Sequence, residues 1–308
     1  MYLIDIICTL PEYCFTFTEP NHKIMKSILA YVLTLIVSLS TFAEIAISEK
    51  KALLQLNKST NGHQWTNKWD LNAPITSWYG VTIQNDKVVA IDLSSNKLSG
   101  TLPKEIANLT NLKSLVLFQN EISGNIPSTI GDLKNLEQLN LSFNKFSGAI
   151  PEALSNAASL KSIELFMNRL NGSLPKSFNK LNKLVVLSLY NNEISGEIPS
   201  EIYQIKSLKV LQLNSNKISG KLSKEISNLS SLESLSLFDN NMIGQVPIAI
   251  EKMNNLKEMN ISYNNFNGAI SKKLSNKDVL NMTMLNEQGV ASALKIDMSK
   301  DKALVSEE

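Results

Sequence analysis

The stretch Leu112-Lys113-Ser114-Leu115-Val116-Leu117-Phe118-Gln119-Asn120-Glu121-Ile122-Ser123-Gly124-Asn125-Ile126-Pro127 decides the fold, because its frame returns every 24 residues. Asparagine holds the same place at Asn96, Asn120, Asn144, Asn168, Asn192, Asn216, Asn240 and Asn264. Strand side chains alternate with period two, so Leu115 and Leu117 point to one side and Val116 to the other. Leu112, Ile122, Ile126, Ile130 and Leu133 complete an inner layer of seven apolar side chains in this coil. One coil alone cannot enclose such a layer, and stability must come from coil stacking on coil. The expected fold is therefore a β-rich α/β solenoid with a parallel sheet on its concave side.

Three other columns read as structural. The asparagine amide carries donors and an acceptor for backbone groups of neighbouring coils. Glycine recurs from Gly100 to Gly268, where a turn needs positive φ or close approach. Proline follows at Pro103, Pro127, Pro151, Pro175, Pro199 and Pro247. Ser223 and Ser271 replace it, and their coils are expected to be locally looser.

The segment Ser-Gly-x-Ile-Pro after the asparagine resembles the plant-type subclass of leucine-rich repeats, and the resemblance covers eight units. It implies a right-handed horseshoe with a second short strand near each Ser-Gly. It also implies extracellular recognition of peptides, glycans or proteins, as in receptor ectodomains or secreted inhibitors of cell-wall enzymes.

Four segments are expected: a leader at 1–43, an N-terminal cap at 44–86, eight repeats at 87–274, and a C-terminal cap and tail at 275–308. Lys23 and Lys26 precede the apolar run from Ile28 to Ala43, which ends in small residues. This reads as a secretory signal, with a mature start near Glu44. At about 16 residues it is short for a membrane span. Asp5, Glu12 and Glu19 make a poor positive leader, whereas Met25-Lys26-Ser27 makes a good one, so translation is expected to start at Met25. Cys8 and Cys14 both precede the run.

In the N-terminal cap, Glu49 to Leu56 reads as a helix with Ala52, Leu53 and Leu56 on one face and Ser48 as N-cap. Trp65, Trp69 and Trp78 follow, and the last begins Trp78-Tyr79-Gly80-Val81. This resembles the cap of plant-type repeat proteins, yet it lacks their paired cysteines. Asn61-Gly62-x-x-Trp65 is closer to cysteine-free caps resembling bacterial and protist versions. The tryptophans read first as an aromatic plug and second as a sugar site. His63 reads as a surface residue. Beyond Leu274, the segments Val279 to Leu285 and Val290 to Ile296 are expected to cover the last coil, and 300–308 to fray.

The 30 basic and 28 acidic residues leave a formal charge of +2, and Arg169 is the one arginine. The 24 outward strand positions hold no Lys or Arg. Phosphate neutralisation needs clustered cations, so nucleic acid is not an expected partner. No cofactor or metal site is expected. Asp92 and Glu164 lie three coils apart, roughly 14 Å at one strand step per coil, whereas glycosidase carboxylates sit at most about 9.5 Å apart. The protein is therefore expected not to be an enzyme.

The column after the second inward residue carries Phe118, Phe166, Tyr190 and Phe238, with Asn214 in the same column and Val116, Glu164, Ser188 and Gln212 beside it. These nine form the candidate ligand-binding strip. Aromatic faces would take apolar or sugar C–H surface while amides and the carboxylate fix orientation. The alternative is that the rings stack along the sheet and only stabilise strand pairing. Sequons at Asn108, Asn140 and Asn228 would accept glycans in a eukaryotic secretory route.

The expected function is that of a secreted or cell-surface recognition module that binds a protein, peptide or glycan on its concave face without chemistry. The alternatives are a structural or adhesive envelope protein and an inhibitor of a secreted polysaccharide-degrading enzyme. No membrane span is expected after signal cleavage, and the sequence leaves the oligomeric state open.

Overall fold

The computed structural model describes residues 45–280, 282–286 and 288–297. The leader, both cysteines, the start at Met25, the cleavage near Glu44 and the charged tail at 300–308 lie outside the described residues. Among the described residues, no helix is long and apolar enough to cross a membrane.

Each coil contributes one short strand to a nine-stranded sheet, from Lys87–Asp92 through Ser114–Val116, Gln138–Asn140, Ser162–Glu164, Val186–Ser188, Val210–Gln212 and Ser234–Ser236 to Glu258–Asn260. These strands pair in parallel and in register 24 residues apart, for example Leu115 with Leu139. Val81–Gln84 closes the first edge antiparallel to Lys87–Asp92. An eight-stranded second sheet runs from Ser99–Thr101 to Asn265–Asn267 through the Ser-Gly segments, as the resemblance implied. Five-residue 3-10 turns such as Ser128–Asp132 form the remaining side.

Leu112, Leu115, Leu117, Ile122, Ile126, Ile130 and Leu133 are all buried, as the repeat frame implied. The asparagine ladder is equally direct. Asn120 Nδ2 donates to the carbonyls of Leu93, Leu117 and Phe118 at 2.9, 3.0 and 3.2 Å. Its Oδ1 accepts the backbone N–H of Asn96 and Leu98 at 3.0 and 2.9 Å. One side chain thus satisfies the turn of its own coil and the turn of the coil before it, where water is excluded.

The residue just before each ladder asparagine adopts a left-handed backbone, with φ between 52° and 56° from Ser95 through Phe143 to Tyr263. None of these eight is glycine, and the frame of leucines gives no hint of the strain.

The N-terminal cap differs in detail from expectation. Its helix spans Ile47–Ser59, and Ala46 is the N-cap, so Ser48 lies inside the helix. Ala52, Leu53 and Leu56 are buried as expected, but so is Glu49, whose Oε2 accepts the Val88 N–H at 3.0 Å. That bond ties the helix to the first sheet. Trp69 stacks on Trp78 with centroids 4.7 Å apart and meets Trp65 edge-on at 4.9 Å. Each indole N–H donates to a carbonyl, those of Thr60, Tyr79 and Asp70 respectively for Trp65, Trp69 and Trp78. All three are buried, so they form the plug and not a sugar platform. His63 is exposed. Gly100, at φ 99°, lies so close to the helix end that a Cβ would fall 2.2 Å from the Ser59 carbonyl oxygen.

At the other end, the expected cover is only partly right. Val279, Leu280, Val290 and Ile296 are exposed, and Met282 and Met284 are buried instead. Thr283–Leu285 pairs antiparallel with Ala291–Ala293, and Lys295–Ile296 pairs parallel with Ala269–Ile270. Buried Asp278 seals the last coil edge, accepting the N–H groups of Ile261, Leu280 and Met282.

Ser223 and Ser271 do not loosen their coils. Each hydroxyl caps the helical turn that follows, accepting from Glu225 N at 3.2 Å and Leu274 N at 3.0 Å. Proline offers no such acceptor.

Candidate functional site

The nine-stranded sheet brings the candidate rings together, because one strand step separates equivalent positions in successive coils. Phe166 and Tyr190 stack with centroids 4.4 Å apart and planes 10° from parallel. Phe118 and Phe166 both meet a third ring, Phe143, edge-on at 5.3 and 5.6 Å. Farther along, Phe238 packs against Tyr263 at 5.1 Å. The strip is therefore two clusters, one of four rings and one of two, separated by the coil of Gln212 and Asn214.

Phe143 and Tyr263 were absent from the sequence-derived strip. They occupy the left-handed position before the ladder asparagine, and that backbone turn swings their rings beside the outward column. Phe143 is 38% exposed and Tyr263 37%. An aromatic residue next to a ladder asparagine was the available signal.

The four rings named from the sequence are half-buried, as are Val116, Glu164, Gln212 and Asn214. Ser188 is a correction: it is buried, and its hydroxyl donates to Gln212 Oε1 at 2.8 Å. Ser142 and Ser262, in the aromatic column, are also buried. Small hydroxyls sink between larger neighbours on a crowded sheet even when their Cβ points outward.

Glu164 is held in place by neutral groups. Ser162 Oγ donates to its Oε1 at 2.9 Å and Asn140 Nδ2 to its Oε2 at 3.2 Å. Asn140 is fixed in turn, because its Oδ1 accepts the Ser142 N–H at 3.0 Å. Burial, with a smaller contribution from the Glu164 charge, raises the Tyr190 pKa above its ordinary value. Among the described residues, no group of histidine, cysteine and carboxylate side chains is arranged to hold a metal ion. A groove of about 1400 Å³ lies elsewhere, between the last strands of the second sheet and the C-terminal hairpin, and none of the candidate residues lines it.

Comparison with known proteins gives the same architecture. A leucine-rich repeat region model matches residues 165–300, and a leucine rich repeat model matches 87–109, 111–133 and 135–157. The Arabidopsis receptor kinase HAESA ectodomain, solved with an IDA peptide hormone ligand, superposes with a TM-score of 0.67 at 29% identity. That match covers 76% of this chain and 40% of HAESA's. The plant peptide hormone receptor RGFR1, solved in complex with RGF2, gives 0.60 at 33% identity, over 67% of this chain and 32% of the receptor's. Polygalacturonase inhibitor 1 of Arabidopsis thaliana is 33% identical over 73 residues, 22% of each chain. The chain thus spans well under half the length of these relatives. The repeat frame, the two parallel sheets and these matches agree: the chain belongs to the leucine-rich repeat proteins, in their plant-type subclass.

Proposed function

We propose that this protein is a non-catalytic recognition module, secreted or at the cell surface, that binds a protein or peptide on the nine-stranded sheet. The carrying observation is the partly exposed cluster of Phe118, Phe143, Phe166 and Tyr190, an apolar surface ringed by Glu164, Gln212 and Asn214. Rings that stack only for sheet stability would not need a fixed carboxylate beside them. RGFR1, a peptide hormone receptor by description, and the receptor kinase HAESA, solved with a peptide hormone ligand, share the fold. A glycan is the weaker reading, because Phe166 and Tyr190 cover one another's faces and offer a sugar less flat surface.

The test is binding of the purified chain to parallel peptide and glycan arrays beside a folded Phe118/Phe166/Tyr190/Phe238→Ala variant. Removing about 50 Å² of each ring from water is worth about 1 kcal/mol per ring. Loss of peptide binding in the variant supports the proposal, and equal binding by both proteins refutes it. The inhibitor reading has one observation in its favour, the short match to polygalacturonase inhibitor 1. Slowing of a polygalacturonase by the purified chain would favour it.

A further inference from the structure

Two sets of surface carboxylates among the described residues contrast in their partners. On the flanks of the coils, Glu121, Glu137 and Glu193 each hold a lysine from the adjacent coil, and Glu233 holds two, Lys209 and Lys257. On the nine-stranded sheet, Glu164 has no cationic partner among the described residues, and the outward strand positions supply no Lys or Arg to become one. It is also the carboxylate beside the four-ring cluster. An ordered anion, preoriented by two neutral donors and bordered by apolar surface, has part of its desolvation and ordering cost already met.

We infer that Glu164 is the recognition point for a basic side chain, so that the ligand of this sheet is a peptide segment carrying an arginine or lysine next to an apolar residue. This rests on the concave-face reading above and narrows it. The cation would pair with Glu164 while its aliphatic stem and the apolar neighbour lie over Phe143 and Phe166. The stacked Phe166–Tyr190 pair covers ring faces, and the Tyr190 hydroxyl has no protein partner among the described residues, so it is free to donate to a peptide carbonyl. The same surface, without a cation of its own, disfavours acidic segments and polyanions.

The experiment presents the full-length chain with an array of peptides in matched sets. Each set differs only in one position, occupied by arginine, lysine, neutral citrulline or glutamate, and chitosan oligomers serve as a cationic glycan. The best arginine peptide and its citrulline twin are then titrated against wild type and Glu164→Gln, with folding checked by circular dichroism. The expected result is about a tenfold loss of affinity on changing arginine to citrulline. Glu164→Gln should cause a similar loss for the arginine peptide and almost none for its twin, and raised salt should narrow the gap.

Equal weakening of both peptides by Glu164→Gln would overturn the inference, as would preference for glutamate peptides or for chitosan. Peptide binding that depends on the rings but is indifferent to charge would overturn it while leaving the concave site standing. Binding to no probe would overturn both.

Discussion

The Ser271 hydroxyl donates a 2.5 Å hydrogen bond to Oε1 of the buried Glu251 carboxylate, 20 residues earlier. Tyr203 and Ser223 occupy the same two positions, 20 residues apart, two coils before. Burial pushes the Tyr203 phenol up to about 12, with a smaller opposing pull from the Ser223 backbone N–H. That approach falls short of a full hydrogen bond. Elsewhere Ala107, Gly131, Ser155, Asn179 and Ser227 precede a proline by the same 20 residues. The two bulkiest side chains at this position are therefore the ones that face serine. Proline has neither a hydroxyl nor an N–H to offer them.

Ser271→Pro is expected to leave Glu251 without its one side-chain donor and to cost about 2–3 kcal/mol in urea unfolding. Adding Glu251→Ser rebuilds the arrangement of Ser155 and Pro175 and should recover most of that loss. Independent, additive effects of the two changes would show that the pair is not coupled.

Asn120→Ala is expected to destabilise by about 3 kcal/mol or more, because it strands several backbone groups of two coils at once. Asn120→Asp should do nearly as badly, since a carboxylate cannot donate to the three carbonyls that the amide serves. Thermal unfolding of both variants is the check, and a small effect in either would mean that water reaches this ladder.

Left-handed backbone at non-glycine residues predicts an opposite kind of variant. Ser215 has φ 52°, and Ser215→Gly is expected to raise stability by about 0.5–1 kcal/mol, less whatever entropy the unfolded chain regains. Ser215→Ala should not, and matched urea titrations would separate strain relief from loss of the hydroxyl.

Glu233 lies between two lysines, and its hydrogen bonds with Lys209 and then Lys257 hold its pKa down at about 2. A lowered folded-state pKa means that its contribution is present above the ordinary value of 4.5 and is lost as pH falls toward about 2. Glu233→Gln should therefore flatten the fall in stability within that window. Because the cluster is exposed, high salt should shrink the difference between the variant and wild type.

The sequence alone determined the coil, its inner layer and its ladder. In and out follow from the two-residue alternation of strands, and that alternation, repeated at a fixed period, leaves one way to stack. Leu115, Leu117 and Asn120 could be placed without any distant contact, as could the outward direction of Phe118 and Phe166. Tertiary structure decided what side chains meet between coils. The left-handed turn at 143 brings a third phenylalanine between two strip rings, and crowding buries Ser188. Packing at the ends turns three tryptophans and two methionines inward, while Val279 and Leu280 face solvent. Direction relative to the chain is a local property, written in periodicity. Contact across coils depends on strand spacing, on side-chain volume and on backbone turns whose strain is met by hydrogen bonds from the neighbouring coil, none of which a residue's own flanking sequence records.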